Sequence, residues 1–348
     1  MDHAHDSQRF LKVPFWAASE ISPETADSQW QDQALAHVFP PSTTALAAVE
    51  ACAPLAPVDP GARDIRRRMA DLTGRTLASS FVGTGARDVF GTLCRAYLKP
   101  GARVVVAQPS PMWMTAEVLA TGAVYVDVGC DWNMSIRRDA LERVLADQDI
   151  QMVVLADPNP ITGVCLPESV RALATSHEAL WVMDHTFSPW SDTPISGRGV
   201  SIRDLSLQAG VPSLPVATMV GEEDCIEGCW RVHPTCSVAA PARALARGLL
   251  GVTDAIDAHL AALSDRHIRL GEGLAKIAGI AVSEPGGPAL MVHNMHEAAS
   301  VLAQRLGDSI SATWSSDHTW HGRLRLHAAA SEAVNAAVET LSNIRASD

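Results

Sequence analysis

The chain has 348 residues, 47% of them hydrophobic and 19% charged, with a formal net charge of −12. An acidic surface repels phosphate backbones and anionic lipid, so we expect neither nucleic acid nor a membrane as a partner. No apolar run is long enough to span a bilayer, and Met1–Asp6 lacks the basic and apolar segments of a secretory signal. The seven cysteines, an odd number in a long chain, predict reduced thiols and a cytoplasmic protein.

Residues 1–45 predict an irregular N-terminal arm, and Arg63–Leu72 predicts a helix that Gly74 ends. After it, buried apolar runs alternate with amphipathic stretches. The predicted strands are Thr76–Val82, Arg103–Ala107, Val124–Val128, Met152–Ala156 and Leu180–Met183, the last ending at Asp184. The predicted helices between them are Ala86–Leu98, Met114–Thr121, Arg138–Ala146 and Pro167–His177. This alternation predicts an α/β fold with a mainly parallel sheet covered on both faces.

The pattern changes near Ala242. A long helix is predicted over Ala242–Ile277, with a bend near Gly248 or Gly251. Two or three strands and two helices follow, the last over Glu332–Ile344. We therefore predict an arm at 1–45, a large α/β domain at 46–245 and a smaller C-terminal α+β domain at 246–348.

Four blocks of sequence carry a resemblance to a known family. They are Phe81–Asp88 with Tyr97–Val104, Asp157–Gly163, Trp181–Phe187 and Leu324–Leu326. Their order and spacing resemble the class I/II aminotransferases, which are fold-type I pyridoxal-phosphate (PLP) enzymes. The nearest members are histidinol-phosphate aminotransferase and threonine-phosphate decarboxylase. The resemblance implies the fold-type I architecture and a homodimer with its active site at the subunit interface.

The resemblance also assigns site residues. Such enzymes need a lysine for the aldimine, a carboxylate at the pyridine nitrogen, and backbone N–H groups at a helix start for the phosphate. Asp184 matches the carboxylate, and Gly85 and Ala86 match the phosphate cradle. The alternatives are a helix cap or buried salt bridge for Asp184, and a plain strand-to-helix turn for Gly85 and Ala86.

Other family positions are changed. The asparagine that bonds the ring hydroxyl falls on Pro160, and the tyrosine falls on Phe187. The aromatic that stacks on the cofactor ring falls on Pro111, although Trp113 is near enough to substitute for it. We also assign Trp113 to substrate binding. Arg325 matches the arginine that clamps a substrate carboxylate, with Arg323 as the alternative.

The lysine is missing where the resemblance would put it. Val216–Arg231 contains none, and the chain has only Lys12, Lys99 and Lys276. If Arg231 is the second phosphate-binding arginine, counting back from it puts Glu223 at the lysine position. A gap of one residue would shift this to Glu222 or Asp224.

Without that amine, ordinary transamination is not expected. We predict a small-molecule biosynthetic enzyme that works without a PLP aldimine, as a cyclase or lyase, by cyclisation, condensation or elimination of an amino-acid-derived carboxylate. Asp184 or Glu223 would be the acid/base, and His185 is a candidate only if its strand has already ended, since strand neighbours face opposite ways. Two alternatives remain: a catalytically silent partner or binding subunit, and an enzyme that binds PLP non-covalently.

One further cluster combines soft ligands. Spacings of four, four and three residues separate Cys225, Cys229, His233 and Cys236. On a helix these spacings would align three thiolates and an imidazole along one face, a set that can bind zinc. The spacing is not that of a standard zinc motif, and Pro234 would break the helix before Cys236. We therefore expect small buried side chains and no metal.

Overall fold

The structure is a computed structural model that describes residues 38–53, 59–147, 149–191, 198–234, 236–277, 280–294, 311–314, 323–327, 334–336 and 338–339. Most of the predicted arm, Lys12, and most of the helix predicted over Glu332–Ile344 lie outside these residues. None of the described helices is long and apolar enough to cross a membrane.

A seven-stranded sheet is formed by strands between Ser80 and Gly221. Its strands are β1 Ser80–Gly83, β2 Arg103–Val106, β3 Val124–Val126, β4 Ile150–Ala156, β5 Leu180–Asp184, β6 Gly199–Asp204 and β7 Ala217–Gly221. Their spatial order is β1-β7-β6-β5-β4-β2-β3. Strand β7 runs antiparallel to both of its neighbours, and the pairs from β6 to β3 are parallel. The predicted mainly parallel α/β sheet is therefore confirmed.

Helices cover both faces of this sheet. They are α1 Thr43–Glu50, α2 Arg63–Thr73, α3 Gly85–Tyr97, α4 Met112–Ala120, α5 Arg138–Asp147, α6 Glu168–Arg171, α7 Leu205–Gln208, α8 Glu223–Val232, α9 Ala240–Leu249 and α10 Thr253–Leu274. On one face α3, α4 and α8 bury apolar residues against the sheet, among them Phe90, Val118 and Ile226. On the other face α1, α2, α9 and α10 bury Ile65, Leu245 and others. Burial on both sides explains why most of these strands are continuous apolar runs.

The predicted long helix is interrupted close to the predicted bend. Helix α9 ends at Leu249, and α10 begins at Thr253. Gly248 lies against α1, where a Cβ would come within 2.8 Å of the Cα of Ala45, so only glycine fits there. A second, antiparallel sheet follows, formed by β8 Ile280–Val282, β9 Leu290–Asn294, β10 Ser311–Trp314 and β11 Arg323–His327. The division of the chain into domains at residue 245 stays a prediction.

Two strands, β6 and β7, were not predicted. They determine which residues meet at the edge where the parallel strands end, which we call the carboxyl edge. Gly83 of β1, Asp184 of β5 and Asp204 of β6 end at this edge. Because β7 is antiparallel, it begins there at Ala217, opposite Asp204 and Gly83, and ends at Gly221 on the opposite edge.

Candidate active site

Two aspartates lie side by side at the carboxyl edge. Asp184 ends β5 and is in register with Ile202 of β6, so Asp204, two residues further along β6, points to the same face. Both side chains are buried. Asp184 accepts a hydrogen bond from the backbone N–H of Thr186 at 2.9 Å. The carboxyl group next to Asp184 is therefore Asp204, which the sequence did not suggest.

The start of α3 faces Asp204. The backbone N–H of Ala86 donates to Oδ2 of Asp204 at 3.0 Å, in a buried hydrogen bond. Gly85, with φ of +83°, brings the backbone close to this carboxylate, because a Cβ there would lie 3.8 Å from Oδ2 of Asp204. The same Cβ would lie 3.4 Å from Cβ of Pro215. The predicted phosphate cradle is thus a helix start already in contact with a carboxylate of the same chain.

Asp204 has two further donors on its other oxygen. Oδ1 accepts from the hydroxyl of Ser206 and from the backbone N–H of Leu207, the latter at 3.0 Å. The second bond makes Asp204 the N-cap of α7. A carboxylate with three donors is firmly oriented and has few acceptor sites left.

Burial and proximity determine the electrostatics of this pair. Burial raises the pKa of Asp184, hydrogen bonds from Thr186 oppose the rise, and the nearby Asp204 carboxylate adds to it. Burial also raises the pKa of Asp204, against hydrogen bonds from Ser206, Leu207 and Ala86. Two neighbouring buried carboxyl groups disfavour each other's ionisation, so the proximity of the pair acts in the same direction as burial on their pKa values.

His185 lies on the other face of the sheet. Its N–H bonds to the carbonyl of Ile202, so the strand pairing continues through it and its ring points away from Asp184. Nδ1 is 2.8 Å from the hydroxyl of Ser201. Burial, and next the charge of Arg203, lower the pKa of His185 to about 3. Although β5 ends at Asp184, the pairing of the His185 N–H with Ile202 keeps the imidazole on the face of Ser201, so His185 and Asp184 are not paired.

A cavity of about 120 Å³ opens on the face of His185. Ser201, Arg203 and Thr218 line it together with Trp190. Asp184 and Asp204 are not among its lining residues. The two faces of the carboxyl edge therefore hold separate sets of polar groups.

Glu223 does not lie beside Asp184, where its assignment to the lysine position would put it. Strand β7 carries the chain to the opposite edge of the sheet, so Glu223, two residues after it, lies roughly 15 Å or more from the carboxyl edge. Glu223 is exposed and accepts from the hydroxyl of Thr76 at 2.6 Å. Arg231 is exposed on α8 and donates to Glu227 at 2.6 Å.

The other predicted contact residues are placed as follows. Trp113 is half-buried and packs edge-to-face on Phe90, 5.9 Å between ring centroids, within the core beneath α3. Phe187 stacks on Phe39 in the core of the other face. Arg325 lies on β11, opposite Met291 of β9. The roles predicted for Trp113 and Arg325 stay predictions.

The cysteine cluster is divided. Cys225 and Cys229 are buried on α8, where the thiol of Cys229 donates to the carbonyl of Cys225 at 3.4 Å. The Nε2 of His233 is 2.6 Å from the hydroxyl of Ser237, and Cys236 is exposed. Among the residues that the structure describes, no three His, Cys, Asp or Glu side chains are grouped as metal ligands.

Relatives can be recognised both by sequence and by fold, although no family model matches the chain. It is 28% identical over 246 residues to histidinol-phosphate aminotransferase 1 of Burkholderia mallei, covering 68% of each chain. It is 28% identical over 193 residues to histidinol-phosphate aminotransferase of Methanothermobacter thermautotrophicus, covering 53% of this chain and 51% of that protein.

Solved structures give the same picture. Histidinol-phosphate aminotransferase of Sinorhizobium meliloti, in complex with pyridoxal-5'-phosphate, superposes with a TM-score of 0.74 at 18% identity over 88% of each chain. The enzyme from Clostridium acetobutylicum superposes with a TM-score of 0.75 at 14% identity, over 89% of this chain and 97% of that one. The fold is that of the aminotransferases. The sequence matches are to histidinol-phosphate aminotransferases, so the chain is similar in both sequence and fold to the fold-type I PLP-dependent aminotransferases.

Proposed function

We propose that this chain is a small-molecule enzyme that works on an aminotransferase fold without a lysine aldimine. The observation that carries the proposal is the segment beside Asp184 at the carboxyl edge. It reads Asp204-Leu205-Ser206-Leu207-Gln208, and it contains a carboxylate and no amine.

This segment matches the family's Ser-Lys pair better than Val216–Arg231 does. Ser206-Leu207 supplies the serine, and its neighbour Asp204 contacts Ala86 at the start of α3. In the first assignment the lysine and arginine positions, Glu223 and Arg231, are eight residues apart. If Leu207 is at the lysine position instead, the same spacing puts Pro215 at the arginine position. Pro215 lies against Gly85, where a phosphate-binding arginine would be useful. With this alignment, both the lysine and the arginine are replaced by apolar residues.

The two lysines in the described part of the chain lie elsewhere. Lys99 follows α3 and lines a separate cavity with Ile150 and Leu180, which begin β4 and β5 at the edge opposite to Asp184. Lys276 follows the end of α10. Neither lysine is therefore positioned to bring its amine to Asp184.

The cofactor itself fits this site only in part. Asp184 matches the carboxylate that a pyridine nitrogen requires, and PLP would supply an electron sink if it were bound. At the position of the ring-hydroxyl asparagine, Pro160 has no N–H to donate. The N–H of Ala86 already donates to Asp204. Aldimine chemistry is therefore not part of the proposed reaction.

The proposed acid/base is Asp184, with Asp204 raising its pKa from the neighbouring strand. A carboxyl group that stays protonated near neutral pH can donate a proton to a leaving group or a carbonyl. By the family resemblance, Arg325 would hold a substrate carboxylate. These roles fit a cyclisation, condensation or elimination of an amino-acid-derived carboxylate, that is, a cyclase or lyase.

The absence of an aldimine is tested directly. The purified chain is mixed with PLP, treated with borohydride and digested, and its lysine peptides are weighed by mass spectrometry. We expect no PLP-modified peptide in stoichiometric yield. A single lysine modified stoichiometrically would refute the proposal.

The acid/base role is tested by turnover. Purified protein is assayed against a panel of amino acids and their acyl derivatives, with products detected by mass spectrometry. Asp184→Asn should lower turnover by about a hundredfold or more. Glu223→Gln, exposed at the opposite edge, is the matched control and should behave as wild type. Equal rates in wild type and Asp184→Asn would remove Asp184 from the chemistry.

The carboxylate clamp has its own test. Arg325→Ala should weaken substrate binding by about 2–3 kcal/mol, the value of a charge-assisted bidentate pair. Arg323→Ala, on the same strand, is the control. If Arg323→Ala shows the loss instead, the clamp belongs to Arg323.

One alternative is a catalytically silent partner or binding subunit. The observation in its favour is that the Asp204 carboxylate is bound entirely by groups of its own chain. The other alternative is non-covalent PLP binding, which the relatives' names and the PLP complex of one neighbour favour. Turnover by the purified chain alone argues against a silent subunit. Non-covalent PLP binding would be supported by a PLP absorbance band that stays with the folded protein through gel filtration. After borohydride treatment and denaturation, this band should no longer be associated with the chain.

We further propose a cytoplasmic homodimer. The family resemblance supports the dimer, and no disulfide joins any of the seven cysteines, all of which the structure describes, as in a reducing compartment. Light scattering after size exclusion should give about twice the 37.0 kDa chain mass. A monomer at micromolar concentration would contradict it.

A further inference from the structure

The start of α3 is the place where this fold would receive a phosphate. The first turn of a helix has backbone N–H groups without partners inside the helix, and the helix dipole favours an anion there. We propose that the Asp204 carboxylate is a built-in anion at this place, so that the site takes a ligand without a phosphate group. The inference rests on the proposed function for the place where the ligand binds, and it does not depend on which reaction the enzyme catalyses.

Both of the N–H groups with known partners at this turn donate to carboxylates of the chain itself. The N–H of Ala86 donates to Asp204 at 3.0 Å, and the N–H of Thr84 donates to Asp88 at 2.8 Å. A phosphate would have to displace Asp204 to reach Ala86. It would also bring about two negative charges next to a buried carboxylate, where repulsion is stronger than in water.

Asp204 is held in this position from its own side. Its other oxygen accepts from Ser206 and from Leu207, as the cap of α7. Rotation of the carboxylate out of the cradle would break the bond to Ala86 and disturb this cap. The carboxylate is therefore a fixed part of the site, unlike a mobile surface side chain.

Pro215 closes the cradle from the other side. It lies against Gly85 and carries neither charge nor an N–H donor. An arginine there would neutralise a phosphate, whereas proline neutralises nothing. The carboxylate and the proline thus change the cradle in the same direction, against phosphate.

The test compares two ligands that differ only in the phosphate group. Pyridoxine 5'-phosphate and pyridoxine lack an aldehyde, so neither forms an imine with any lysine. Their binding is measured by calorimetry to wild type and to Asp204→Ser. Serine is a good helix cap, so this variant keeps α7 capped while it empties the cradle.

Wild type should bind pyridoxine 5'-phosphate no more tightly than pyridoxine. Asp204→Ser should bind the phosphate ester more tightly than pyridoxine by about tenfold or more, since charge-assisted hydrogen bonds to the phosphate become available. Asp204→Asn fills the same space without the charge and should gain less than the serine variant. Unchanged circular dichroism shows that the variants are folded.

Two results would overturn the inference. One is wild type binding the phosphate ester tenfold more tightly than pyridoxine. The other is a folded Asp204→Ser that gains no preference for the ester, including one that binds neither ligand. Because no imine can form, these results are independent of the borohydride experiment. A lysine adduct with PLP would refute the proposed function and leave this comparison valid.

Discussion

The carboxyl edge carries an acidic face and a basic face at the same point of β5 and β6. On the acidic face, Asp184 and Asp204 lie beside the start of α3. On the basic face, His185 and Arg203 line a cavity with Trp190, whose ring is 4.6 Å from the guanidinium carbon of Arg203. Each aspartate is a direct chain neighbour of one of these basic residues. Because successive side chains of a strand point to opposite faces, these neighbours are separated. An acidic and a basic residue that are adjacent in the sequence do not form a catalytic pair here.

The two faces also differ in how their charges are compensated. The acidic face uses backbone N–H donors and a hydroxyl. The basic face uses carbonyls: Arg203 donates to those of His185 at 2.8 Å, Pro189 at 2.7 Å, and Ser188. The first arrangement involves the backbone after β5 and the starts of α3 and α7. The second fastens the chain after β5 to β6 and is structural.

The largest effect should come from breaking this fastening. Arg203→Met leaves three carbonyls without their donor and should lower the free energy of unfolding by about 3–5 kcal/mol. Denaturant unfolding followed by circular dichroism measures it. Arg198→Met, exposed just before the start of β6, is the control and should change stability by about 0.5 kcal/mol or less. Equal effects of the two variants would show that Arg203 does not hold the loop.

The second effect is a pH dependence from the basic face. His185 has a folded pKa of about 3 and an ordinary one when unfolded. The unfolded chain therefore binds a proton that the folded chain does not, and stability falls as pH drops from about 6.5 towards 3. At about pH 5 this lowers the free energy of unfolding by about 2 kcal/mol, which His185→Asn should abolish. The stability difference between the variant and wild type should thus shift in favour of the variant from pH 7.5 to pH 5; a constant difference would contradict burial of a neutral imidazole.

The acidic face should respond to pH in the opposite direction. Because burial raises the folded pKa of Asp184, the folded chain keeps a proton that the unfolded chain loses. Wild-type stability from this group is fully present at low pH and falls as pH rises above about 4. Asp184→Asn does not titrate and keeps an acceptor for Thr186, so it should gain on wild type as pH rises. Denaturant midpoints measured across this range check it, and parallel curves would show that folding does not raise the pKa of Asp184.

The contrast between the faces also explains what the sequence could predict. Within β4 and β5, Met152–Ala156 and Leu180–Met183 are unbroken apolar runs, because both faces of these strands are buried, and such runs predict strands. Strand β6 alternates Val200 and Ile202 with Ser201 and Arg203, and β7 carries Thr218. These polar residues line an internal cavity, a reason for polarity that is invisible along the chain.

The missed strands account for the misplaced site residues. Counting back from Arg231 takes no account of the turn between β6 and β7. In the proposed alignment the lysine position falls one strand earlier, at Leu207 instead of Glu223. Asp184, Gly85 and Ala86 lie at the carboxyl edge, because each ends or closely follows a strand that the sequence predicts, and their roles stay predictions. Asp204 could have been found from the alternation of Val200 and Ile202, which predicts a strand ending at a helix cap.

The smallest expected change in stability comes from Thr218, and its sign tells whether the cavity beside His185 is empty or holds water. The hydroxyl of Thr218 is buried and has no hydrogen-bond partner among the described residues. A buried hydroxyl without a partner is destabilising, and valine has the same shape without it. Thr218→Val should therefore raise the free energy of unfolding by about 1 kcal/mol if the cavity is dry. A cavity of about 120 Å³ with polar walls also has room for ordered water, and a water bound to Thr218 would reverse the sign. Ser201→Ala is the matched comparison, since Ser201 already has His185 as its partner and should lose stability. A loss in both variants would mean that Thr218, too, has a partner in solution, and that the basic face is hydrated.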